Sequence, residues 1–109
     1  MKKLLSILIA FLLFANLNAQ EDRRLALIIG NAKYIHGGSL KNPVNDAELM
    51  SKTLKDLGFE VTLLTNAGLK DMQNSAIEFT KKVKDYDVAL FYYAGHGVQV
   101  NGVNFLVPV

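Results

Sequence analysis

Two short stretches of the chain, Leu25–Ile29 and Val88–Tyr93, are apolar or aromatic at every position. A strand with one wet face alternates polar and apolar residues. An unbroken run instead suits a strand buried on both faces, as in the middle of a parallel sheet. Phe59–Leu64 reads as a further strand. Between the strands lie two helical patterns. Ala47, Met50, Leu54 and Leu57 recur at spacings of three, four and three, which puts them on one helix face. Asn42-Pro43 reads as an N-cap followed by Pro at the first helical position, and Gly58 as the stop. Met72, Ala76, Phe79 and Val83 make a second face. Asp71 near its start and Lys81, Lys82 and Lys84 near its end agree with the helix dipole.

Ala32–Lys41 has Gly37-Gly38-Ser39 and no periodicity, so it is a loop. Asn66-Ala67-Gly68 is a turn. Asn101-Gly102, between Val98–Val100 and Val103–Leu106, is a hairpin signal. The order strand, helix, strand, helix, strand, hairpin predicts an α/β fold in three layers, with a mostly parallel sheet and helices on both faces. Right-handed crossovers favour the strand order 2-1-3. Ligands bind outside the carboxyl ends of strands where such an order reverses. The two loops at that point are Gly30-Asn31 and Gly95-His96-Gly97.

With 109 residues there is room for one small domain. The N-terminus reads as a secretion signal over residues 1–19. Lys2 and Lys3 precede an apolar stretch, Leu4–Ala15, broken only by Ser6, and Ala19 offers a small residue before Gln20. A spanning helix needs about 20 apolar residues, so a cleaved signal is preferred to a retained anchor. The expectation is an exported protein, periplasmic or secreted, off the membrane once the signal is cut. Without Lys2 and Lys3, the 12 basic residues become 12 − 2 = 10, against 10 acidic ones. A neutral mature chain with no basic stripe gives no case for nucleic acid. The chain has no cysteine, which excludes disulfides, thiolate metal sites and a cysteine nucleophile within it.

His96 sits between two glycines at the end of a buried run. Glycines permit sharp turns and close approach. A histidine held there can act as a general base near neutral pH. A plain polar turn residue fits the spacing equally well. His36, in the glycine-rich loop, reads as solvent-exposed. Tyr92 and Tyr93 point to opposite faces of a buried strand and read as core. Asp71, Glu78 and Asp85 read as a solvated helix face, and Asp46 as a first-turn acidic residue favouring the dipole. No metal cluster, calcium loop or dinucleotide fingerprint is present, and no cofactor is expected.

Several segments together are more specific. They are Arg24–Asn31 with Tyr34, Asn45-Asp46-Ala47, Leu57-Gly58-Phe59, Phe91-Tyr92-Tyr93-Ala94-Gly95-His96-Gly97, and Asn104–Val109. In this order and spacing the sequence resembles the caspase-like cysteine peptidases, most closely the paracaspase and metacaspase branch with its bacterial relatives. The resemblance covers residues 24–109. It implies that residues 20–109 are the N-terminal part of a caspase-like domain, an incomplete one. It also implies a Cys–His dyad in which His96 is the histidine and the cysteine lies beyond residue 109, about 50 residues on. By the same match Gly97 offers its backbone N–H to the oxyanion, while Asn31 and Tyr34 shape the loop beside the site. The resemblance also implies that Asp46 lines the S1 pocket and selects Arg or Lys before the cut. The expected function is thus an endopeptidase acting on a protein or peptide, with further domains possible past residue 109. By itself the fragment should be inactive. The alternative is a non-catalytic caspase-like interaction module, which another residue in place of the cysteine would favour.

Overall fold

The computed structural model describes residues 22–109, so the signal reading at residues 1–19 lies outside it. The elements are β1 (Arg24–Gly30), α1 (Pro43–Asp56), β2 (Phe59–Thr65), α2 (Leu69–Lys82), a 3-10 turn (Val83–Asp85), β3 (Val88–Ala94), β4 (Gly97–Val100) and β5 (Val103–Leu106). The first three strands form one parallel sheet in the order β2-β1-β3, as the alternation of elements predicts. Register is uniform across it: Arg24 sits opposite Phe59 and Val88, and Gly30 opposite Thr65 and Ala94. The last two strands pair antiparallel as a separate hairpin. Its turn residues Asn101 and Gly102 have φ of 51° and 78°. A tight hairpin needs that left-handed pair to match the strand twist.

Strand β1 is the buried centre, with Leu25, Ala26, Leu27, Ile28 and Ile29 all nearly inaccessible. Its alternate residues serve two layers. Ala26 and Ile28 pack with Ala47 and Leu54 of α1, flanked by Met50, Phe59, Val61, Leu63, Leu90 and Tyr92. Leu25 and Leu27 face α2 across a cleft lined by Asn74, Ser75, Glu78 and Phe79. The unbroken apolar run therefore has its physical cause: both of its faces are covered.

Some local expectations shift. Asn42 occupies the N-cap position of α1, but its side chain makes no capping bond; Pro43 does stand at the first position. Leu57 is 54% exposed, because it lies past the last turn as the C-cap. Its carbonyl instead accepts a hydrogen bond from the Arg24 guanidinium at 2.6 Å. Gly58, with φ of 84°, then turns the chain into β2. In α2 no residue is fully buried and Ala76 is exposed, so that helix rides higher on the sheet than α1.

Candidate functional site

The carboxyl ends of β1 and β3 lie side by side, and the loops that leave them are knitted together. The Asn31 N–H donates to the Ala94 carbonyl at 2.8 Å. Asn31 itself is fully buried. Its amide oxygen accepts the Ala67 N–H at 2.8 Å, and its amide nitrogen reaches the Ala67 and Val107 carbonyls at 3.4 and 3.3 Å. One side chain thus joins the loops after β1 and β2 to the segment after β5. Asn66, at φ of 51°, accepts the Ala32 and Lys33 N–H groups at 3.0 Å each. Asn31 and Tyr34 lie in and brace the loop beside the histidine, the place the family resemblance gives them.

His96 stands in the turn between β3 and β4, half-buried. Its Nε2 lies 3.1 Å from the Gly38 carbonyl. A carbonyl only accepts, so this contact puts the proton on Nε2 and leaves Nδ1 with a lone pair in the neutral ring. Gly37 and Gly38, at φ of 90° and 84°, let the loop arch over to make that contact. The Tyr34 ring flanks the imidazole, with centroids 4.4 Å apart. The His96 N–H donates to the Tyr34 hydroxyl at 2.8 Å, and the His96 carbonyl accepts the Val107 N–H at 3.0 Å.

That last bond fixes where Gly97 points. Gly97 pairs with Leu106, and the ladder bond beside them runs from Val107 to His96. Gly97 and Leu106 are therefore a non-hydrogen-bonded pair, and the Gly97 N–H is directed away from β5. Asp46 lies in the first turn of α1, exposed. The helix start is seated directly on the end of β1: a Cβ on Gly30 would come within 2.6 Å of both the Pro43 carbonyl oxygen and the Ala47 Cβ. Asp46, His96 and Gly97 thus share the carboxyl end of the sheet. His36 is exposed, and among the described residues it neither hydrogen-bonds to His96 nor pairs with its ring.

Two contributors were not legible in advance. Gly38 acts through its backbone, which carries no sequence signal. Tyr93 reads as core, yet its hydroxyl bonds the His96 and Val107 carbonyls at 2.6 and 3.1 Å. The available clue was that a buried tyrosine hydroxyl requires a partner. Burial, and then the Tyr34 hydroxyl beside it, push the Tyr93 hydroxyl well above its ordinary range, so it stays protonated. No cluster of three or more metal-ligating side chains gathers among the described residues, and no helix there is long and apolar enough to cross a membrane.

Fold and site together define a three-layer α/β protein that presents a glycine-flanked histidine at the carboxyl edge of its parallel sheet. The family model described as the caspase domain matches residues 23–109, and the chain belongs to that family of caspase-like peptidases. It is 36% identical over 86 residues to the human mucosa-associated lymphoid tissue lymphoma translocation protein 1, and equally to the mouse homolog. The match takes in 79% of this chain but 10% of each relative, so the chain spans about a tenth of their length.

Proposed function

We propose that this chain supplies the histidine half of a cysteine endopeptidase site that cuts after Arg or Lys. The observation that carries the reading is the His96 imidazole itself, at the switch point of the sheet with Nε2 engaged by a carbonyl and the Nδ1 lone pair left free. A cysteine from beyond residue 109 gives its thiol proton to Nδ1. The thiolate attacks the scissile carbonyl carbon, and the carbonyl oxygen takes the negative charge. The outward Gly97 N–H suits that oxyanion. The imidazolium then protonates the leaving amine, and water hydrolyses the thioester. Asp46, an exposed carboxylate at the same end of the sheet, pairs with the cationic P1 side chain.

The test uses the full protein and matched peptides with Arg or Asp at P1. His96→Ala lowers kcat by roughly 10²–10⁴, the usual worth of a general base. Asp46→Ala raises KM for the Arg peptide and leaves the Asp peptide uncut. Cleavage of the Asp peptide in preference to the Arg peptide would sink the specificity reading; full activity in His96→Ala would sink the dyad. The basic and apolar leader supports export, and a mature protein starting at Gln20 on N-terminal sequencing is the expected result.

A further inference from the structure

We infer that Tyr34 and Tyr93 are positioning residues for His96, holding its backbone N–H and C=O in one closed ring of hydrogen bonds. The inference rests on the reading of His96 as the peptidase histidine only for its consequence, not for its geometry. The His96 N–H donates to the Tyr34 hydroxyl at 2.8 Å. The two phenol oxygens lie 3.0 Å apart. The Tyr93 hydroxyl lies 2.6 Å from the His96 carbonyl and 3.1 Å from that of Val107.

Valence sets the direction. A phenol has one proton, and carbonyls only accept. Tyr93 therefore gives its proton to a carbonyl, that of His96 being nearer. The proton between the phenols must then come from Tyr34. The circuit runs from the His96 N–H to Tyr34, to Tyr93, and back to the His96 C=O. Each hydroxyl accepts once and donates once in the same sense, so each bond polarises the next. Burial keeps Tyr93 protonated, and so keeps it a donor.

Gly95 makes the ring possible. A Cβ there would stand 2.5 Å from the Tyr34 hydroxyl and 2.6 Å from that of Tyr93. Only a residue without a side chain lets both oxygens sit against it. Tyr34 also touches the imidazole face, and Gly38 holds Nε2. Backbone, ring face and ring nitrogen are each held, which leaves the imidazole a single working orientation. Misplacing a reacting group by about 1 Å costs on the order of 10²-fold in rate.

The test compares Tyr34→Phe, Tyr93→Phe and the control Tyr92→Phe in the full protein. Tyr92 packs on the α1 side, and its hydroxyl has no place in the ring. The readouts are hydrogen exchange of the His96 amide by NMR, and kcat and KM on the Arg peptide. Both ring variants should speed His96 exchange by about tenfold or more. They should lower kcat by roughly 10- to 100-fold with KM within about twofold. Tyr92→Phe should do neither. Rapid His96 exchange in the unsubstituted protein, or unchanged exchange in both ring variants, overturns the ring. A drop in melting temperature with kcat unmoved would make the tyrosines structural only and would equally overturn the positioning role. A protein that cuts no peptide at all refutes the dyad, while the exchange rates still decide the ring.

Discussion

Asn31 concentrates the logic of the site in one side chain. It is fully buried, and its amide serves the loop after β2 and the segment after β5 at once. An apolar replacement fills the space but leaves the Ala67 N–H without its acceptor, while the Ala67 carbonyl keeps the Val109 N–H and the Val107 carbonyl keeps the Tyr93 hydroxyl. Each buried polar group left unpaired costs about 1–3 kcal/mol. Asn31→Leu should therefore lose about that much stability by urea unfolding, and a change below roughly 0.5 kcal/mol would contradict the account. Tyr93 makes a prediction about pH. Its native hydroxyl is held above the ordinary tyrosine value of about 10. Below that value both states carry the proton, and the stabilisation is fully present. Above it the unfolded chain releases the proton while the native state keeps it, so stability falls as pH rises. Tyr93→Phe should flatten the decline in urea midpoint between about pH 9 and 11 relative to the unsubstituted protein. At this scale the sequence was half legible. Asn31 and Tyr34 are legible through the family resemblance, as residues that shape the loop beside the site. Tyr93 hides in an apolar run, because its ring is strand-like while its hydroxyl belongs to the turn three residues on.

Among the elements, α1 is the one that connects packing to the proposed specificity. Its apolar spacing was readable, and Ala47 and Leu54 are indeed buried. The failures lie at the helix end and on the second helix, where Leu57 is exposed as a cap and Ala76 as part of a helix with no buried residue. Periodicity marks which face is apolar; it carries no measure of how closely the sheet meets it. Amide exchange should register that difference, with the middle of α2 exchanging faster than the middle of α1. Equal protection would mean α2 is held by more than its half-buried face. The seat of α1 on β1 allows a sharper test. In Gly30→Ala the new Cβ would lie 2.6 Å from the Ala47 Cβ and the Pro43 carbonyl oxygen. Overpacking of this kind costs about 1–3 kcal/mol. The strain is relieved by lifting the N-terminal turn of α1, which carries Asp46. Gly30→Ala should lower the melting temperature and raise KM for the Arg peptide more than it lowers kcat. If kcat falls while KM for the Arg peptide stays unchanged, α1 does not carry the specificity group.

For the molecule as a whole, the strand order was the most legible feature, since buried runs separated by helices leave few ways to build a parallel sheet. Its consequence is an uneven burial. The central β1 is covered on both faces, whereas β3 pairs with β1 alone among the described residues. On the face opposite α1, Phe91 lies level with Leu27 yet is 49% exposed, and on the α1 face Val88, at the strand start, is 40% exposed. The hairpin adds Val98, Val100, Val103 and Phe105, all more than half exposed. In this ladder Val98 stands opposite Phe105 and Val100 opposite Val103, so the four form one apolar face. An apolar strand with an unpaired edge is a template for pairing with another chain. Residues 22–109 produced alone should therefore self-associate as concentration rises, seen as a growing sedimentation coefficient. Phe91→Lys places a charge beside that edge without touching the α1 core, and should shift the association to higher concentration. A segment that stays monomeric and melts in one cooperative step would show that β3 is adequately protected by what the described residues already provide.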